Sequence, residues 1–137
     1  MGAQLSVTVR DARLDAIETA IGASPTLEIR TGAQPADCAA PDSGTLLASM
    51  TLPANWMNAA SGGTMTLAGT WEDLSADAAG TAAHFRIKQG ATCHMQGNVT
   101  ATGSGGDIEL SAVSITATQS VTITAFTITD GNPRQMF

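Results

Sequence analysis

The residues whose types could do chemistry are few. Two histidines, His84 and His94, and two cysteines, Cys38 and Cys93, are the natural metal ligands. Cys93 and His94 are neighbours in a segment that reads as a strand, so they point to opposite faces and cannot share a metal there. His84 and His94 can approach across a hairpin, but two ligands fall short of a structural zinc site. No metal or other cofactor is expected. Serine nucleophiles lack their setting: Thr102-Gly103-Ser104-Gly105 misses the first glycine of a nucleophile elbow. The run Gly103-Ser104-Gly105-Gly106 is followed by neither Lys-Ser/Thr nor a helix, so it reads as a strand connection and not as a phosphate cradle. Carboxylates pair at Glu72/Asp73 and at Asp107/Glu109. The second pair shares one strand face, and solvated sheet surface accounts for it without acid–base work. Asn98-Val99-Thr100 matches a glycosylation sequon, which a Thr-rich strand produces by coincidence. The chain is not expected to be an enzyme.

Composition narrows the partners. Across 137 residues there are six basic and twelve acidic side chains, for a net charge of -6, and only 13% of residues are charged. Lys88 is the single lysine, which excludes binding of nucleic acid through clustered phosphate contacts. Five aromatics, Trp56, Trp71, Phe85, Phe126 and Phe137, are too few for a base-stacking platform. No apolar run approaches the roughly 20 residues of a membrane helix, and Met1 to Leu5 has no export-signal character. The expectation is one domain, made in the cytoplasm, with Cys38 and Cys93 as free thiols. A single disulfide is the alternative if both lie near a sheet edge.

The elements that position these residues follow from periodicity. Leu14, Ile17 and Ile21 share one helical face, so residues 6–22 read as a helix. Ser6 or Thr8 can cap it, with Asp11 completing a capping-box-like pair, and Gly22 and Pro25 end it. From Pro25 onward the period is two. Leu27 and Ile29 mark a strand, 32–44 a loop, and 46–52 a strand. Residues 54–60 read as a helical turn around Trp56. Met65, Leu67 and Trp71 mark a strand, and 72–81 an acidic loop. The alternating segments 83–88 and 93–101 make a hairpin. Ile87 must face Cys93 or Met95, which requires an odd loop of three or five residues. Ile108 to Ile115 and Val121 onward are further strands. At Phe126 and Ile128 the apolar phase flips, which signals a β-bulge or a strand buried on both faces. The count gives an all-β jelly roll or β-sandwich of about seven or eight short strands over 26–130, one N-terminal helix over 6–22, and a tail over 131–137.

Two surface patterns follow from these strands. His84, Arg86, Lys88 and His94 all project from one face of the hairpin. That face is either a contact surface for an acidic partner or an ordinary solvated sheet face, the simpler reading. Thr, Ser, Ala and Gly make up about half the chain, at positions where soluble proteins usually carry Lys and Glu. Such short side chains lose little entropy on ordering and suit packing against neighbours.

Longer stretches carry a resemblance. Residues 13–22 (RLDAIETAIG) followed by 27–32 (LEIRTG), together with 52–57 (LPANWM), 83–87 (AHFRI) and 121–131 (VTITAFTITDG), resemble small virion proteins of tailed bacteriophages. The resemblance covers most of the chain and rests on overall pattern, with no catalytic motif. The closest role it implies is a structural capsid cement, or decoration, protein with a jelly-roll fold. Its partners would be the major capsid protein and other copies of itself as a homo-oligomer. It would be made in the host bacterial cytoplasm and sit on the capsid surface of the virion. The alternative is a tail-associated or receptor- or glycan-contacting β-module. A carbohydrate-binding module or small hydrolase is disfavoured, since only Trp56 and Trp71 could serve as sugar platforms.

Overall fold

A computed structural model describes residues 3–130. Among the described residues one helix, α1 (Val7–Ile21), precedes eleven strands and not the expected seven or eight, because several ladders are only two or three residues long. These are β1 (Thr26–Arg30), β2 (Leu46–Thr51), β3 (Thr64–Thr66), β4 (Trp71–Asp73), β5 (Gly80–Thr81), β6 (His84–Gln89), β7 (Thr92–Ala101), β8 (Ile108–Leu110), β9 (Ser114–Ile115), β10 (Val121–Ile123) and β11 (Thr127–Thr129). The all-β class with a single leading helix is therefore what the chain adopts. The ladders form one five-stranded sheet, β2-β1-β6-β7-β8, and three two-stranded ribbons, β10-β4, β11-β3 and β5-β9. All pairs are antiparallel except β7 with β8. The expected tail over 131–137, and most of the turn from Asp130 to Pro133, lie outside the described residues.

Ser6 caps α1, its side chain accepting from the Val9 amide. Asp11 closes no capping box. It accepts instead from the Gly63 amide at 2.7 Å, while Asp15 takes that of Ala60 at 2.8 Å and Glu18 that of Met57 at 2.6 Å. Three acids spaced four and three apart lie along one side of a helix, so they satisfy a row of backbone donors in a segment that has little ladder of its own. That segment is not the expected helical turn. Its backbone runs irregularly, bridging Met57 to Leu67, and the buried Trp56 indole donates to Gly22 O at 3.0 Å.

One face of the large sheet is apolar. Leu27, Ile29, Met50, Phe85, Ile87 and Val99 are all buried there. Opposite the sheet, Trp56, Trp71 and Phe126 fill the core, with Trp71 to Phe126 at 5.5 Å and Phe126 edge-on to Phe85 at 5.8 Å between ring centroids. Gly97 is paired with Phe85, and a Cβ there would come within 2.7 Å of the Phe85 ring, so the ring lies over bare backbone.

The hairpin register is one of the two expected, Ile87 opposite Met95 and not Cys93. The expected odd loop does not form. Gln89 pairs with Thr92 across a two-residue turn, Gly90-Ala91, and a bulge supplies the odd residue, since Lys88 pairs with Cys93. The acidic stretch 72–81 is also not all loop, because β4 and β5 bracket it. Ile108 to Ile115 splits into β8 and β9, and the phase flip at Phe126 marks a change of partner, β10 pairing with β4 and β11 with β3.

Candidate functional site

The face of β1, β6 and β7 opposite the core carries Glu28, Arg30, His84, Arg86, Lys88 and Gln96. Arg86 lies between Glu28 and Gln96 in register, and Arg30 opposite His84. Residues 31–45, connecting β1 to β2, fold back over this face. Gly44 makes the return possible: it holds φ +71°, and a Cβ there would lie 1.9 Å from Thr31 O. The segment has few internal backbone bonds, and the sheet's side chains supply the rest. His84 Nδ1 lies 2.7 Å from Gly32 O, and Gln96 Nε2 donates to Pro35 O at 2.8 Å. Arg86 donates to Asp37 O, Cys38 O and Ala40 O, each at 3.1 Å, and to the Asp42 carboxylate at 2.7 Å. Lys88 bonds Asp42 and, at 3.1 Å, Glu28; Arg30 bonds Glu28 at 2.9 Å and Asp42 at 3.4 Å.

The expected contact face therefore does not exist as a surface. His84 and Arg86 are 0% and 1% exposed, Lys88 is buried too, and all three are engaged by the chain's own loop. The simpler reading, a solvated sheet face, fails for the same reason. His94 sits in the bulge and is exposed. His84 pairs with Asn98, four residues from His94, which separates the two histidines by about 13 Å along the strand. The sequence does hold a signal for the burial: Glu28 and Arg30 on the neighbouring strand share the phase of Arg86 and Lys88, which makes a face of both signs.

Electrostatics tie the cluster together. The hydrogen bond from Lys88 holds the Asp42 carboxyl below its ordinary value; burial opposes this, and Arg86 reinforces it. For Lys88 and Arg86 burial disfavours the charge, but hydrogen bonds override it: those of Asp42 and Glu28 raise Lys88, and that of Asp42 raises Arg86. Burial is also the main reason the Cys93 thiol is pushed up to about 11. The bulge turns Cys93 off the apolar face and toward residues 31–45. Its Sγ lies 3.0 Å from that of Cys38, and both thiols are free.

The other sequence candidates have structural tasks. Glu109 accepts from the Gly103 and Gly105 amides at 3.2 and 2.8 Å, so the glycine-rich connection cradles the chain's own carboxylate. Asp107 takes the Asn98 amide, and Asp73 the amides of Ser49 and Ser75. Trp56 and Trp71 are both 0% exposed, so neither offers a sugar platform. Among the described residues no group of three or more His, Cys, Asp or Glu is placed to hold a metal. Among the described residues no helix is long and apolar enough to cross a membrane. No family model matches the chain, and neither a curated protein nor a solved structure does.

Proposed function

We propose that this chain is a structural, non-enzymatic virion protein of a tailed bacteriophage, a capsid cement protein that bridges major capsid protein subunits. One observation supports it beyond the sequence resemblance: the described basic side chains are bound within the chain, while short side chains stand at exposed strand positions. The five described basic residues all bond oxygen atoms of this chain, Arg10 and Arg13 at Asp130 and the other three under residues 31–45. The exposed positions of β3, β10 and β11 are threonines: Thr66, Thr122, Thr127 and Thr129. A surface of short side chains orders at little entropic cost and admits close approach of another backbone. Each such contact is weak, and repetition over a shell makes the sum strong. Leu74, 71% exposed, is an apolar point among the exposed residues.

The test is co-sedimentation of the purified protein with expanded capsids that lack it. Saturable binding at a fixed number of copies per shell is expected. Failure to bind such capsids, together with binding to host cells or glycans, would replace this reading with a tail-associated or receptor-contacting module.

A further inference from the structure

We propose that Cys38 and Cys93 are a reversible thiol–disulfide pair whose closure fastens residues 31–45 to the β6–β7 hairpin. The proposal goes beyond the virion reading and does not depend on it. Residues 55 apart in sequence bring their sulfurs to 3.0 Å. A disulfide bond is about 2.05 Å long, so closure needs a shift of about 1 Å, within the reach of two side-chain rotations. Both cysteines are partly exposed and line one open surface cleft of about 380 Å³ with Pro41, Asp42, Arg86 and Thr92. An oxidant of small size therefore reaches them. The backbone of Cys38 is already held, its carbonyl accepting from Arg86 at 3.1 Å, so the noncovalent latch presents the sulfur for the covalent one.

The oxidant that balances the step is a small-molecule disulfide. Burial and the neighbouring Cys38 keep Cys93 protonated at neutral pH, against the pull of Arg86, which makes Cys38 the entry sulfur. The Cys38 thiolate attacks one sulfur of the small disulfide, a mixed disulfide forms, and one small thiolate leaves. That thiolate takes the Cys93 proton. The Cys93 sulfur then attacks Cys38 Sγ and expels the second small thiolate, which is protonated by solvent. Two protein thiols are oxidised to one disulfide, and one small disulfide is reduced to two thiols.

The experiment uses the full chain, reduced with dithiothreitol and then treated with oxidised glutathione. Free thiols are alkylated, and the intact mass is measured under non-reducing conditions. The wild type is expected to lose both thiols together, to retain no glutathione and to weigh two hydrogens less, all reversed by dithiothreitol. Cys93→Ser is expected to accumulate a stable glutathione adduct on Cys38. Hydrogen exchange of the amides in 31–45 is expected to slow about tenfold on oxidation of the wild type. Glutathione retained on wild-type Cys38 or Cys93, or two thiols still free once Cys93→Ser has reacted fully, would overturn the pairing. A crosslink that leaves exchange in 31–45 unchanged would overturn the fastening.

Discussion

The two faces of the five-stranded sheet are both buried, by opposite means. One lies on Leu27, Ile29, Phe85 and Ile87 and the aromatic core; the other carries Glu28, Arg30, His84, Arg86 and Lys88 beneath residues 31–45. Apolar contact is non-directional and scales with area, so the first face depends on volume and shape. The second depends on charged donors meeting acceptors, because a buried charge left alone is costly, even though His84 Nε2, Arg86 Nε and Gln96 Oε1 are buried there with no hydrogen-bond partner. The same strand, β6, alternates between the two regimes residue by residue. Conservative substitutions should therefore be tolerated on one face and not on the other.

The largest effect should come from the apolar face. Phe85→Ala removes a ring packed against Phe126 and over Gly97, and should cost about 3–5 kcal/mol in denaturant unfolding. Arg86→Met should cost about 3 kcal/mol, since three loop carbonyls and Asp42 lose their donor at once. The comparison sharpens with mild changes in the same strand. Ile87→Val should cost about 1 kcal/mol, and Arg86→Lys about 2 kcal/mol, because an ammonium group cannot reach four oxygens in the guanidinium's fork. A loss for Arg86→Lys no larger than for Ile87→Val would erase the distinction between the faces.

Acid and alkali should act on the charged face through Asp42 and Lys88. The folded Asp42 carboxyl lies below its unfolded value, so its contribution is present above about pH 3.9 and fades as pH falls through the lower folded value. Lys88 is raised, so its contribution is complete below about pH 10.4 and is lost as pH climbs through the higher folded value. Asp42→Asn should flatten the acid limb of a stability profile, and an unchanged limb would contradict the assignment. The smallest effect belongs outside both faces: Thr127→Lys should alter stability by less than about 0.5 kcal/mol, as thermal unfolding would read.

Periodicity made part of this legible. Alternation in β6 and β7 limits the partner of Ile87 to Cys93 or Met95, because any one-residue slip would turn Phe85 and Ile87 to the wrong side, and the structure takes Met95. The same alternation could not disclose the bulge, which changes the parity of the turn and moves Cys93 to the charged face. The two- and three-residue ladders β4, β5 and β9 are too short to show a period at all. The burial of His84, Arg86 and Lys88 leaves only the mixed signs of Glu28 and Arg30 as its trace in the sequence, for a different reason. It depends on a long connection folding back, and the carbonyls that receive Arg86 belong to the backbone of 37–40, which has no signature in side-chain type.

In the proposed role the five described basic residues are bound within the chain, and the outward small-residue surface makes the contacts with a shell. Co-sedimentation with cement-free expanded capsids across a series of salt concentrations tests it most directly. Saturable binding that changes little as ionic strength rises is expected, since short polar and apolar contacts are weakly screened. Absence of binding, or binding that falls steeply with salt, would contradict it.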